Sequence, residues 1–212
     1  MDLLSFEQLR LVIVVYLSAL MPLILIPILH RQKLIPSWVL RFYGAMFVVC
    51  ALGWELWFNY GLVAGDSVSV RRVDILNQMI PLHINGLLNS LADAGTICCG
   101  GLLLVWLLMG RGDSVYREWN WRVFSLLMVI FIGQNIFVEM FLYHDQLADG
   151  KHLSWAPLSP LGIWFDPVLF QFNDRSIRLS SQLPWLILTP LLYLGLIRLL
   201  PQSKLSQSVT NQ

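Results

Sequence analysis

The stretch Leu11–Leu29, LVIVVYLSALMPLILIPIL, decides the fold class, because it contains no charged side chain. An α-helix needs about 20 predominantly apolar residues to cross the hydrocarbon core of a bilayer. The run is longer than the apolar region of a typical secretory signal, and no small-residue cleavage site follows it. We therefore interpret it as the core of a retained membrane helix over residues 9–29.

Four further segments of the chain are long and apolar enough to span a membrane, and short charged loops separate them. The five predicted spans are residues 9–29, 38–62, 80–109, 121–143 and 183–200. The predicted fold class is all-α, a polytopic transmembrane helix bundle with about five spanning helices. We expect one domain over residues 1–201 and a polar C-terminal tail over residues 202–212.

The composition favours the same class. Of the 212 residues, 57% are hydrophobic and only 13% are charged, about half the charged fraction of a typical soluble domain. A net charge of +1 gives no reason to expect nucleic acid as a partner. The three cysteines, Cys50, Cys98 and Cys99, lie inside apolar segments, so no disulfide framework is predicted.

The basic residues predict the orientation of the chain. Five spans place eight of them on the side of the C-terminus: Arg31, Lys33, Arg41, Arg111, Arg117, Arg122, Arg198 and Lys204. They place six on the other side: Arg10, Arg71, Arg72, Lys151, Arg175 and Arg178. Cytoplasmic loops carry an excess of Lys and Arg, so the sequence predicts a multi-pass integral membrane protein with a cytoplasmic C-terminus.

A long loop, residues 144–182, precedes the last span and is unusually rich in aromatic residues. Its bulky rings are Trp155, Trp164, Phe165, Phe170 and Phe172. A solvated linker would not carry so many of them, so we expect the loop to lie in the membrane interface or to cap the bundle. A short or re-entrant sixth span over residues 158–172 is the alternative.

Three carboxyl groups lie within predicted spans, namely Glu55, Asp93 and Glu139. An ionisable side chain in the bilayer centre costs from about 3 to more than 10 kcal/mol, so each one requires an explanation. At 1.5 Å per residue, Asp93 lies near the middle of the membrane and the other two lie in the non-cytoplasmic half. We expect all three to face a common chamber and take them as candidate catalytic groups. Hydrogen bonding between helices is the structural alternative.

Further polar side chains accompany these acids at helical spacing. The candidates for substrate binding among them are His83, Asn89, Gln134 and Asn135. An acid that holds a proton, beside one that has lost it, can donate a proton and then remove another. In a cavity open to lipid, the natural substrate is itself lipidic. No metal site or cofactor is predicted, because no metal-ligand spacing is present.

Short motifs on four of the spans occur in a recognisable order. They are Gly53-Trp54-Glu55, then Asp93 with Thr96, Gly100 and Trp106, then Gly133-Gln134 with Glu139, and finally Trp185 with Pro190. Over Cys50 to Leu200 the chain thereby resembles the emopamil-binding protein family of EXPERA-domain proteins. That family includes sterol isomerases and sterol-binding relatives that are not enzymes.

The resemblance implies a helical bundle around a hydrophobic cavity for a sterol-like molecule. It implies that Glu55 and Asp93 form a proton-transfer pair and that Trp185 binds substrate, flanking a carbocation with its π face. The isomerases carry His one turn before the first acid, where this chain has Ala51, and they carry Glu at the position of Asp93.

The predicted function is therefore that of a membrane protein whose lipid-accessible cavity binds or acts on a sterol-like or isoprenoid lipid. Double-bond isomerisation by carboxylate proton transfer is the candidate reaction. The alternatives are a lipid-binding or assembly protein without enzyme activity and a small proton-coupled transporter. The expected partner is a membrane lipid or sterol-like small molecule, and a homodimer is left open.

Overall fold

The structure, a computed structural model that describes residues 4–61, 66–151, 162–173 and 175–200, is a bundle of α-helices with one small sheet. Four helices are long and apolar enough to cross a membrane, and two shorter helices joined at an angle of 41° meet the same criterion when they are counted as one broken span. The predicted all-α bundle with about five spanning helices is confirmed.

The described helices, in chain order, are α1 (Phe6–Arg31), α2 (Ser37–Leu52), α3 (Trp54–Tyr60), α4 (Val68–Arg71), α5 (Asp74–Met79), α6 (Leu82–Leu108), α7 (Trp121–Gln146) and α8 (Leu179–Leu199). A 3₁₀ turn (Asp113–Tyr116) lies between α6 and α7. Strands β1 (Val168–Phe172) and β2 (Arg175–Arg178) pair in an antiparallel hairpin before α8.

The outer surface of the bundle is apolar, as expected when lipid is the surrounding solvent. Helix α1 shows this most clearly, since its large apolar side chains exposed by 40% or more are Phe6, Leu9, Ile13, Leu17, Leu20, Met21, Leu23, Ile24, Leu25 and Ile28. A soluble monomer rarely exposes so large a continuous apolar surface. Helix α1 therefore presents this apolar face to lipid and buries its opposite face in the bundle.

Helix α1 packs closely on α6 because Gly95 has no side chain. A Cβ atom at Gly95 would lie 2.4 Å from Cγ of Pro22, well inside van der Waals contact. Small residues let membrane helices approach in this way. Gly100, on the same helix, has only the Thr96 methyl group within 4 Å. The close contact of α1 with α6 therefore occurs at Gly95 and not at Gly100.

The second predicted span is broken at Gly53, between α2 and α3. A Cβ atom there would lie 2.6 Å from the Val49 carbonyl oxygen, so the chain can bend this way only because residue 53 is glycine. The break places Glu55 in the first turn of α3, where it is buried. The expected continuous helix over 38–62 is thus two helices.

Two helices contain π-helical segments beside the predicted acids. In α6 the segment is Thr96–Leu103, directly after Asp93, and in α7 it is Glu139–Tyr143. Such insertions are rare and occur frequently at functional sites, because the extra residue changes the direction of the side chains around it.

The aromatic loop folds onto the end of α7. Phe172 of the hairpin packs against Phe141, with ring centroids 5.2 Å apart. The Asp145 carboxylate pairs with Arg175 of β2 and with Arg10 of α1. The hairpin therefore caps this end of the bundle, as one of the two expectations for the loop stated.

The described part of the alternative sixth span, residues 162–172, holds a turn and strand β1 and no helix. Ile163, Trp164 and Phe165 lie exposed there, as is typical of a membrane interface. Residues 158–161 and Trp155 lie outside the described residues.

Candidate functional site

A cavity of about 180 Å³ lies within the bundle, between α1, α3, α6, α7 and α8. One wall is apolar and includes Leu11, Val14, Val15, Leu142 and Leu188. The polar part of the lining contains most of the predicted site residues: Glu55, Asn89, Asp93, Gln134 and Asn135. The cavity thus combines an apolar interior with a few convergent polar groups, which is typical of small-molecule sites.

Glu55 and Asp93 come together because α3 runs antiparallel to the first half of α6. Trp54 donates its indole N–H to Oδ2 of Asp93 at 2.5 Å, and one and a half turns later Asn59 accepts a hydrogen bond from Asn85 at 3.0 Å. The two carboxyl groups lie close enough for their charges to interact, and the Asn89 amide lies beside Glu55. Two helices thus supply one acid pair.

The Glu55 side chain is unusual because one of its oxygens has no partner. The residue is 6% exposed, and Oε2 is buried without a hydrogen bond to any described residue. A buried polar atom without a partner costs free energy. This oxygen therefore lacks an internal partner, in a side chain that lines the cavity.

Trp185 forms an aromatic wall of the cavity, at the position that the resemblance implies. Its ring stacks on Phe131, with centroids 5.2 Å apart and planes 26° apart, and lies 6.3 Å from the ring of Trp54. This stacking fixes the indole next to the acid pair.

Glu139 lies behind the cavity wall and does not line it. Its Oε2 accepts hydrogen bonds from Ser181 Oγ at 2.8 Å and Gln182 Nε2 at 2.9 Å, and the residue is 1% exposed. Asn135, which does line the cavity, donates to Gln182 Oε1 at 2.8 Å. The expectation of a chamber shared by three acids therefore holds for two of them, because the polar first turn of α8 holds the third.

His83 lies outside the cavity and is exposed. Its Nδ1 is 2.7 Å from the hydroxyl of Tyr60. Six residues separate His83 from Asn89, and six residues turn an α-helix by about 240°. The two side chains therefore point to different sides of α6, although both were expected to bind substrate, and only Asn89 lines the cavity.

Arg72 is the main cavity residue that the sequence did not identify. It was expected to be a loop charge, but it is 2% exposed and lines the cavity. Its guanidinium donates to Asn77 Oδ1 at 3.1 Å, to Asn85 Oδ1 at 2.9 Å and to the carbonyl oxygen of Ile80. Burial lowers the pKa of Arg72 to about 10, so the side chain stays charged at neutral pH.

Trp54 and Tyr143 also line the cavity without having been assigned a role. The Tyr143 ring packs on Phe58 at 6.0 Å. Trp54 belongs to a quoted motif, but its hydrogen bond with Asp93 depends on the pairing of α3 with α6. A single sequence does not reveal that pairing.

No known family model, curated protein or solved structure matches this chain. The likeness to EXPERA-domain proteins therefore depends only on the motifs quoted from the sequence.

Proposed function

We propose that this chain is a multi-pass integral membrane protein that binds a sterol-like or isoprenoid lipid in its cavity and shifts a double bond by proton transfer. The observation that carries the proposal is the pair of acids from two helices, Glu55 and Asp93, in one apolar cavity. Carboxyl groups in membrane segments are rare, and they mark functional sites more often than structural ones.

The surroundings of the two acids support different roles for them. The Trp54 indole can only donate a hydrogen bond, so Oδ2 of Asp93 is held as an acceptor. The free Oε2 of Glu55 faces no such donor. In the proposal, Glu55 gives a proton to one carbon of a C=C bond, which leaves a carbocation on the other carbon of that bond. Asp93 then removes a proton from the next carbon along the chain or ring. The double bond moves, and the pair ends with the same number of protons.

The volume of the cavity limits how the substrate binds. About 180 Å³ is less than the roughly 300–1,000 Å³ of pockets that enclose drug-sized ligands. A polycyclic lipid would therefore place only its reacting part next to the acids, or the helices would separate around it. Either mode keeps the rest of the ligand in contact with lipid or with apolar side chains.

Deuterium labelling tests the proposed reaction. The purified protein is incubated in heavy water with a panel of polycyclic and isoprenoid alkenes, and products are analysed by mass spectrometry and NMR. We expect deuterium next to a shifted double bond. Glu55→Gln and Asp93→Asn should each lower the rate about 10²-fold or more, the usual effect of removing a general acid or base.

Glu118→Gln is the matched control, since Glu118 is exposed in the connection between α6 and α7. This variant should keep the wild-type rate. If the wild-type protein leaves every alkene unlabelled and unshifted, the enzymatic proposal fails.

One observation favours a binding protein without enzyme activity as the second candidate. Trp54 donates to Oδ2 of Asp93, so one of the two oxygens that could take up a substrate proton is already occupied. A lipid-binding protein would show saturable binding of the same panel that survives both Glu55→Gln and Asp93→Asn.

A further inference from the structure

Arg72 brings a buried positive charge to the cavity without an acidic partner. The described residues form four ion pairs, and none of them includes Arg72. Its three acceptors are two amide oxygens and one backbone carbonyl oxygen, all of them neutral. A buried charge is expensive unless an opposite charge compensates it.

The guanidinium also has donors to spare. Arginine carries five N–H groups, and the three hydrogen bonds of Arg72 use one each on Nε, Nη1 and Nη2. One N–H group on each terminal nitrogen is left without a partner among the described residues. Two N–H groups of one guanidinium can bind the two oxygens of a carboxylate or a phosphate.

Gln146 is a further polar residue of the cavity lining. It is 9% exposed, and its side-chain amide forms no hydrogen bond with the described residues. The backbone of residues 71–73 pairs with that of residues 146–148 through Val73 N to Gln146 O at 3.0 Å and Ala148 N to Arg71 O at 2.8 Å, in a bridge that sets Arg72 opposite Leu147. This pairing anchors the segment of Gln146 to that of Arg72, and both side chains line the same cavity.

The positive site and the acid pair lie at different levels of the same cavity. Arg72 bonds to Asn85, and Asp93 follows Asn85 by eight residues on α6. Eight residues rise about 12 Å along a helix. Asn89, which hydrogen-bonds with Glu55, follows Asn85 by only four residues, or about 6 Å. An anionic group at Arg72 is therefore farthest from Asp93, while an apolar body attached to it reaches both acids.

We propose that the cavity binds an amphipathic lipid with an anionic headgroup, a carboxylate or a phosphate, which contacts Arg72 and Gln146 while its apolar part lies at Glu55 and Asp93. The inference rests on the proposed lipid-binding function and specifies the chemical class of the lipid. The charged headgroup supplies the counter-ion that Arg72 lacks in the protein.

Amphiphiles that differ only in the headgroup test this proposal. Binding to the purified full-length protein is measured by calorimetry and thermal stabilisation in a neutral detergent for oleate, oleyl phosphate, oleyl alcohol and oleylamine. We expect at least one of the two anionic ligands to bind about tenfold or more tightly than the alcohol, since hydrogen bonds to charged groups are the stronger ones. The preferred anion distinguishes a carboxylate from a phosphate headgroup, and inorganic phosphate alone should not bind.

Gln146→Glu tests the role of the charge without removing a described contact. The substitution keeps the size of the side chain and adds a negative charge to the lining of the cavity that Arg72 shares, so the preference for anions should disappear. Gln78→Glu, on the exposed side of α5, makes the same chemical change outside the cavity and should leave the preference intact. Arg72→Gln should also abolish it, provided that the variant keeps the melting temperature of the wild type.

The outcomes separate this inference from the proposed function. If oleyl alcohol or oleylamine binds as tightly as both anions, or if Gln146→Glu retains the preference, the anionic headgroup is refuted while lipid binding stands. Binding of inorganic phosphate with no preference among the amphiphiles would replace the lipid by a free anion. If no amphiphile and no alkene of the panel binds, both proposals fail together.

Discussion

The contact between Trp54 and Asp93 ties the two helices that supply the acid pair. The indole N–H donates to a carboxyl oxygen at 2.5 Å in a partly buried setting. The same ring lies 6.3 Å from Trp185. One side chain therefore orients an acid and lines the cavity that the acid faces.

Trp54→Phe should destabilise the protein by about 1–3 kcal/mol, because it leaves a buried carboxyl oxygen without its donor. Trp106→Phe is the control, since the indole nitrogen of Trp106 is buried without a partner among the described residues. Both substitutions replace an indole by a phenyl ring. The difference between their effects on the free energy of unfolding therefore measures the contribution of the hydrogen bond. Unfolding in mixed micelles with increasing SDS measures it, and equal losses would contradict the role of the Trp54 N–H.

A surface ion pair gives a prediction about pH. Lys151 Nζ lies 2.8 Å from Oδ2 of Asp66, and this hydrogen bond lowers the pKa of Asp66 from its usual 3.8. A lowered pKa in the folded state means that the contact stabilises the protein fully above pH 3.8 and is lost as the pH falls through the lower, folded pKa. Because the pair is exposed, the effect on stability is small.

Lys151→Gln should therefore raise the pKa of Asp66 back toward its ordinary value. A pH titration of the carboxyl carbon by NMR measures the change. Lys33→Gln, in the connection between α1 and α2, should leave the titration of Asp66 unaltered. An unchanged pKa in Lys151→Gln would show that Lys151 does not cause the shift.

The sequence predicted the acid pair but not the environment of each acid. Depth along the helices, at 1.5 Å per residue, predicted one chamber for Glu55, Asp93 and Glu139, and only the resemblance to a known family singled out Glu55 and Asp93 as a pair. Whether Glu139 faces the cavity depended on which helix packs beside α7. Ser181 and Gln182 reach Glu139 because α8, which carries them, lies beside α7. Arg72 was expected in a loop because basic residues usually remain solvated, and nothing in its immediate sequence marks it as buried.

Gly95→Ala should destabilise the packing of α1 on α6. The added methyl group would meet Pro22 at 2.4 Å, and a ring within a helix has little freedom to move away. Overpacking costs about 1–3 kcal/mol, more than the roughly 1 kcal/mol that alanine gains over glycine in helix propensity.

Gly100→Ala is the matched control on the same helix, because only the Thr96 methyl group lies within 4 Å, at 3.9 Å. In thermal unfolding, the melting temperature of Gly100→Ala should equal or exceed that of the wild type, and the melting temperature of Gly95→Ala should be lower. The reverse order would contradict the close contact at Pro22.

Hydropathy predicted the five spans well because each is a long apolar run. It did not predict the break at Gly53 or the π-helical segment that starts at Glu139. Both features depend on contacts within the bundle, and their residues are as apolar as those of a regular span. The hairpin was missed for a different reason: β1 and β2 are short, and the aromatic composition of the loop fits an interface as well as a strand.

The distribution of basic residues over the two sides of the whole molecule predicts its orientation in the membrane. Of the six basic residues on the side of the N-terminus, Arg71 and Arg72 are buried and hydrogen-bonded, so four remain against eight on the other side. Those eight predict a cytoplasmic C-terminus.

Labelling of single introduced cysteines in intact cells can test this orientation. Each cysteine is introduced into a variant in which Cys50, Cys98 and Cys99 have been replaced. An impermeant maleimide should label Lys151→Cys from outside and leave Glu118→Cys unlabelled until the cells are opened. The opposite pattern would invert the orientation. Labelling of both from outside would contradict five spans.

The small volume of the cavity also has a kinetic consequence. A ligand larger than about 180 Å³ that binds wholly inside the cavity can enter only while neighbouring helices are apart, and α1 has the smallest buried share of the four long spans. Opening of such a gate then limits association, as it does in many enzymes with lids. The observed binding rate should level off as ligand concentration rises, and the plateau would measure how often the bundle opens toward the lipid.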